Sequence, residues 1–312
     1  DEQEKHVSVI RLIRQSKFSV YLAYSELHKK HVVMKVFPYY EEKVNPYYKV
    51  ECRYKDLSHP YLIKILQYKN QNSAVHKGKT IYFSYILMEL APYGDLCEHV
   101  LGNGKLWQDE ILMRTYFHQL IEGLEYLHSL NIAHMDIKLE NLMIGEDYML
   151  RLGDFDTSCF ENDKGFIPRG SQHYRSPEVR DMKCFKPKMA DIYSAGITLF
   201  AMRVGALPYL EGEYVNGHNL YDLLLREKPA FWEYHPECKS RGINNDKDFK
   251  ELFLSMVKAD PEKRATLADI KNSTWYQGRT YSKREIVNLF KTKLKIPSIF
   301  DQKESPKKLV KK

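Results

Sequence analysis

The chain has 312 residues, 43% of them hydrophobic, with 48 Lys and Arg against 41 Asp and Glu for a net charge of +7. That length exceeds the usual span of one core, so two packed lobes are expected in an ordinary soluble globular protein. No run approaches the roughly eighteen apolar residues of a membrane span, and Asp1 onward shows no charged-then-apolar leader. The positive charge does not indicate a nucleic-acid groove, because it is concentrated at one end. Residues 279–312 hold eleven Lys and Arg against Glu285, Asp301 and Glu304, which leaves the remainder of the chain nearly neutral. Cys52, Cys97, Cys159, Cys184 and Cys238 form no CxxC pair, a pattern expected of reduced thiols in the cytosol or nucleus.

In chain order, residues 1–90 alternate the β-rich runs "VSVIRLI", "SVYLAY", "HVVMKVF", "YLIKILQY" and "IYFSYILME" around one helical candidate, Pro46 to Leu57. This predicts a small antiparallel sheet with a single helix. "APYGDL" interrupts with Pro and Gly, and helical periodicity then governs residues 91–278. Leu112, Tyr116, Leu120, Leu124 and Leu127 recur at the spacing of a buried helix. "MADIYSAGITLFAMRVG" is apolar nearly all round and is expected deep in the helical lobe. Residues 279–312 form a basic tail whose "REIVNLFKTKLKI" sets Ile286, Phe290 and Leu294 on one helical face. That face suits a helix docked on the body, and the alternatives are a solvated tail or a contact for a protein partner or acidic surface.

"HMDIKLEN", residues 134–141, crowds Asp136, Lys138 and Asn141 into one short polar stretch between apolar runs. Such residues also occur in loops for turn-making alone, so their meaning depends on their companions. Those companions are "HVVMKVF", "GDFDTS", "GSQHYRSPEV", "ADIYSAG" and "DPEKRAT". Together the six resemble the VAIK, HRDLKxxN, DFG, GTxxYxAPE, SDxWSxG and DPxxRxT motifs of the eukaryotic protein kinase family, Ser/Thr type. One match would be weak, but six in the family's order, spanning about Ile10 to Gly278, leave chance little room. The resemblance implies an α+β, bilobal protein kinase-like fold, with a small antiparallel-sheet N-lobe carrying one helix and a larger, mainly helical C-lobe.

Phosphoryl transfer needs positioning and charge neutralisation more than covalent help. On this resemblance Asp136 orients or deprotonates the attacking hydroxyl, and Lys138 neutralises the transferring phosphoryl. Asn141 and Asp154 hold Mg²⁺, and Lys35 binds the α and β phosphates of ATP. Lys35→Met is accordingly expected to abolish transfer while leaving the fold intact. "ILMELAPYGDL" becomes a hinge, with Met88 as gatekeeper, the Glu89 and Ala91 backbones bonding adenine, and Asp95 reaching ribose or a substrate residue. Val20, Val33 and Met143 sandwich the base, roles compatible with plain core packing. Glu178 and Arg264 form a buried ion pair, and Asp191 caps the catalytic loop. The protein substrate is expected to present Ser or Thr, with a basic residue upstream that meets Asp95 and Glu140.

Several residues depart from the pattern. "LIRQSKFSVYLA" stands where the family has GxGxxGxV, without its glycines and with one residue fewer between Phe18 and Val20. Counting back from "LSHP" puts the expected partner of Lys35 at Val50, in line with Tyr54 and Leu57. Glu51 is the assigned partner although it lies about 100° off that α-helical face. Val33 replaces the commoner Ala, and Asp156 replaces the DFG glycine. Met135 stands where many kinases have Arg, and "FENDKGFIPRG" contains no Ser, Thr or Tyr. Activity independent of phosphorylation in this loop is therefore expected, with Asp163 and Glu161 as solvated residues or fixed charges. Two other readings remain open: a pseudokinase that binds nucleotide or serves as a scaffold, and a small-molecule kinase of the same broad fold. "SPE", "DIYSAG" and Arg264 speak against the second.

Overall fold

The computed structural model describes residues 7–41, 43–76, 78–163, 170–183 and 186–301. Cys184, residues 164–169 of the loop and residues 302–312 of the tail lie outside them. Strands β1 (Val7–Gln15), β2 (Ser19–Ser25), β3 (Lys30–Pro38), β4 (Ile65–His76) and β5 (Lys79–Glu89) form one antiparallel sheet in the order β1-β2-β3-β5-β4. The run "YLIKILQY" joins this sheet only from Ile65. Its first residues reach the other lobe instead: Ile63 N–H donates to the Leu152 carbonyl at 2.9 Å and Leu152 N–H to the Tyr61 carbonyl at 2.9 Å. Alternation along β3 separates two apolar clusters. Val32 and Met34 join Ala23, Tyr85 and Leu87, whereas Val33 and Phe37 face Phe18, Ile86 and Met88.

The helix in this lobe, α1 (Pro46–Cys52), is shorter than the predicted Pro46–Leu57. Beyond it the backbone tightens into i→i+3 bonds: Arg53 N–H to Val50, Tyr54 to Glu51, Lys55 to Cys52 and Leu57 to Tyr54. At three residues per turn, Glu51, Tyr54 and Leu57 fall in one row. This removes the offset that an α-helical count imposes on Glu51. Tyr48 and Glu51 are buried, while Val50 is half-buried against the other lobe.

The second lobe is assembled from α2 (Leu96–Val100), α3 (Glu110–Ser129), α4 (Pro177–Arg180) and α5 (Pro187–Val204), with short strands β6 (Ile132–Ala133), β7 (Leu142–Ile144), β8 (Leu150–Leu152) and β9 (Cys159–Phe160). β7 pairs with β8 and β6 with β9. Fifteen of the eighteen residues of α5 are buried, which makes it the central helix that its all-round apolarity predicts. One of the fifteen is Asp191, fully buried, and a charge there requires partners. It accepts the His134 and Met135 N–H groups at 2.8 Å each and lies 2.9 Å from His128 Nε2. Residues 134–135 are thereby pinned to the core.

The tail docks on the body. Ile286 and Phe290 are buried, and Phe290 stacks on Tyr148 with ring centroids 4.7 Å apart. Farther on, Ile299 N–H donates to the Pro92 carbonyl at 2.7 Å, Arg11 donates to the Ile299 carbonyl at 2.8 Å, and Phe300 packs against His31. The apolar face of the tail helix is therefore covered by the protein's own body.

Arg264, whose side chain is fully buried, donates to both carboxylate oxygens of Glu178 at 2.8 and 2.9 Å, and to the Lys258, Ala259 and Met189 carbonyls. Arg264→Ala leaves a buried carboxylate and three carbonyls without their donor. Urea unfolding is expected to show a loss of about 3 kcal/mol.

Candidate active site

Lys35 projects from β3 on the face it shares with Val33 and is 6% exposed. Its Nζ lies 2.7 Å from Glu51 Oε2, 2.7 Å from Asp154 Oδ1 and 3.8 Å from Asp156 Oδ2. Burial opposes the ammonium, but Glu51, Asp154 and Asp156 outweigh it and hold its pKa above the ordinary lysine value. One cation shared among three acids leaves them unequally neutralised. Burial pushes the Glu51 carboxyl up against the pull of Lys35. Burial and then Asp154 push Asp156 up. Asp154 goes the other way: Lys35 outweighs its burial and brings it below the usual carboxylate range.

Across the cleft, Asp136 is held at both oxygens. Ser171 N–H donates to Oδ1 at 2.7 Å, while Lys138 Nζ at 2.7 Å and Asn141 Nδ2 at 3.1 Å reach Oδ2. Lys138 also donates to Ser171 Oγ at 2.6 Å, and Asn141 Nδ2 to the Asp136 carbonyl at 2.8 Å. Gly170 makes the Ser171 contact possible. Its φ is +86°, and an added Cβ would stand 2.2 Å from the Met135 carbonyl oxygen, so only glycine brings Ser171 this close. Met135 and Asp154 both have positive φ, +68° and +67°. Asp191 fixes the first through its N–H, and Lys35 holds the carboxylate of the second.

Gly153 N–H donates to the Asn141 carbonyl at 3.0 Å, which ties Asp154 to the loop that carries Asn141. The amide nitrogen of Asn141 is engaged with Asp136, leaving its side-chain oxygen as a ligand, and Asp154 keeps one oxygen beyond Lys35. Two hard oxygens suit Mg²⁺, which takes one or two protein ligands and completes its shell with phosphate and water. Among the described residues no cluster of three His, Cys, Asp or Glu forms an all-protein metal cage.

The apolar end of the cleft gathers Val33, Met88, Ala91 and Met143 in one cluster, with Val20 opposite Lys35 in the β2–β3 register. Glu89 and Asp95 have structural work of their own. The Glu89 side chain accepts the Lys64 N–H at 3.0 Å, and Asp95 caps α2 by accepting the Glu98 N–H at 3.1 Å. Glu140 has a buried Oε2 with no hydrogen-bond partner.

Three contributors were not singled out from sequence. Ser171 was readable in principle, since it fills the Thr position of GTxxYxAPE. Lys17, 3.3 Å from Asp156, was hidden by the unusual β1–β2 turn. Arg53 lies beyond the end of α1. It donates to both oxygens of Asp163 at 2.9 Å each, so Asp163 is fixed by an ion pair and is more than a solvated loop residue. Asp163 also accepts the Phe160 N–H at 3.0 Å. Glu161 meets Lys188 at 2.8 Å.

Residues 15–276 match the protein kinase domain family. Testis-specific serine/threonine-protein kinase 1 of Mus musculus is 30% identical over 283 residues, which is 87% of this chain and 72% of that protein. The Homo sapiens protein of the same name is 30% identical over 279 residues, 86% of this chain and 70% of that one. The carbon catabolite-derepressing protein kinase of Secale cereale is 30% identical over 244 residues, 78% of this chain, and the chain spans 44% of its length.

The neighbours of Lys35 change what its replacement should do. Lys35→Met leaves Glu51, Asp154 and Asp156 without their shared buried cation, so the fold is expected to lose about 3 kcal/mol. Adding Glu51→Gln is expected to restore part of that loss in chemical unfolding, because the two changes act on one contact.

Proposed function

The chain belongs to the protein kinase family and is a serine/threonine protein kinase, and on that premise we propose how its cleft transfers the γ-phosphate of ATP to a protein hydroxyl. The observation that carries the reading is the double-sided grip on Asp136. With Ser171 on one oxygen and Lys138 and Asn141 on the other, the carboxylate is oriented by the protein's own groups. Asp136 is then the group that receives or directs the proton of the attacking hydroxyl. Lys138, beside it, puts an ammonium where charge develops on the transferred group. Lys35 holds the α and β phosphates, and Glu51 sets the position of Lys35. Asn141 and Asp154 hold Mg²⁺, which when bound neutralises the phosphate oxygens. Met88, Val20, Val33 and Met143 enclose the adenine, and the backbones of Glu89 and Ala91 bond its edge.

The ion pair of Lys35 with Glu51 at 2.7 Å supports catalysis over a purely scaffolding role, because it sets the lysine that would hold the phosphates. Arg53 on Asp163 supports activity without loop phosphorylation, since a carboxylate already occupies the guanidinium beside this segment. For substrate choice, half-buried Glu140, with Asp95 bridged through its backbone to Met143 three residues further on, supports recognition of a basic side chain upstream of the acceptor. Exposed Arg284, Lys291, Lys293 and Lys295 on the outer side of the docked tail are the surface offered to an acidic partner.

Asp136→Asn is expected to lower phosphate transfer from Mg-ATP to a generic basic protein by about 100-fold or more. Transfer at the wild-type rate by this variant would overturn the assignment. Peptides with and without an upstream Arg are expected to differ in kcat/KM, and Glu140→Gln to narrow that difference about tenfold, the weight of one charge-assisted hydrogen bond. Phosphatase treatment, checked by intact mass, is expected to leave the rate within about tenfold, or 1.4 kcal/mol in barrier.

A further inference from the structure

The turn joining β1 to β2 reads Ser16, Lys17, Phe18, and its side chains take up defined positions. Phe18 is 7% exposed and packs beneath the sheet, its ring centroid 4.6 Å from that of Phe37 and 5.7 Å from that of Tyr47. Lys17 stays at the mouth of the cleft with 45% of its side chain exposed. Its Nζ lies 3.3 Å from Asp156 Oδ2 and 3.1 Å from the centre of the Tyr47 ring. Lys35 Nζ stands 3.8 Å from that same oxygen of Asp156. Two ammonium groups, delivered by different segments, thus flank one carboxylate oxygen. Lys35 is already engaged by Glu51 and Asp154 at 2.7 Å each, so Lys17 is the cation with donors left to give.

A carboxylate oxygen held between two ammoniums marks a place suited to an oxygen of a polyphosphate, which carries more charge than Asp156. We propose that Lys17 is a nucleotide phosphate-binding residue. Asp156 is its counter-ion within the protein, and the ammonium passes to the phosphate chain when nucleotide enters. A side-chain cation then supplies, from this turn, the phosphate contact for which a turn without glycines lacks close backbone N–H groups. Tyr47 keeps the ammonium near the mouth through its ring face, and the buried Phe18 anchors the turn so that Lys17 needs to move only its own side chain.

The proposal rests on the kinase reading of the cleft, and its test separates the two. Calorimetric titrations of the full chain, as wild type, Lys17→Met and Lys17→Arg, use Mg-ADP and adenosine as probes, with steady-state kinetics in Mg-ATP alongside. Lys17→Met is expected to weaken Mg-ADP about tenfold and leave adenosine unchanged, while Lys17→Arg stays within about threefold of wild type. KM for ATP is expected to rise by a similar factor, with kcat much less affected. Undiminished ADP affinity in Lys17→Met, with wild-type transfer intact, would overturn the role of Lys17 and leave the kinase reading standing. Tighter ADP binding would overturn it too, making Lys17 a latch that keeps phosphate out. Equal weakening of ADP and adenosine would also overturn it, by showing that Lys17 shapes the pocket. A wild type that neither binds ADP nor transfers phosphate would instead bring down the kinase reading.

Discussion

A buried ammonium cannot stand alone in a protein interior, and most of the cleft's architecture answers the demand that Lys35 makes. Its partners come from two places far apart in sequence. Glu51 arrives from α1, and Asp154 and Asp156 arrive from the segment after β8. Each must be near for the charge to be tolerated, so the helix, the sheet and the second lobe are brought to one point by electrostatics as well as apolar contact. Burial first, and then repulsion among the acids, pushes Glu51 and Asp156 up. Three carboxylates around one buried ammonium are suited to receiving further cations.

The second lobe supplies a stiffer base. Asp191 and the Glu178–Arg264 pair are buried charges with every requirement met by backbone or side-chain partners, and they hold the loop of Asp136 and the segment after Gly170 in fixed relation. Fully satisfied polar networks rigidify. Asp136 inherits that rigidity through Ser171, Lys138 and Asn141. The contrast between the lobes is one of chemistry, with a satisfied set of charges in one and a contested lysine in the other.

Much of this was legible because it is local. Strand alternation, the all-round apolarity of α5 and the six ordered motifs each sit in a short window, and they led to two lobes with a cleft between. The offset of Glu51 came from counting 3.6 residues per turn through a stretch that winds at three, and that tightening is the local helix adjustment its assignment requires. Ser16 to Phe18 showed only missing glycines and a one-residue shortening before Val20, since a residue's partners across 139 positions, as for Lys17 and Asp156, leave no periodic trace. Asp163 looked like a loop acid for the same reason. Its partner Arg53 is 110 residues away and just past a helix end. What sequence reading lacks here is tertiary pairing of charges, which has no fixed spacing.

The contact of Arg11 with the Ile299 carbonyl spans 288 residues. The contact ties β1, the outermost strand on its side of the sheet, to the docked tail. During synthesis β1 emerges long before the segment that completes its surroundings, so this edge of the sheet is completed only after residue 299 has been made. Non-local closure of this kind slows folding, and nascent intermediates of larger chains are the ones that expose unpaired edges. The small lobe is thus made well before the segment that finishes it.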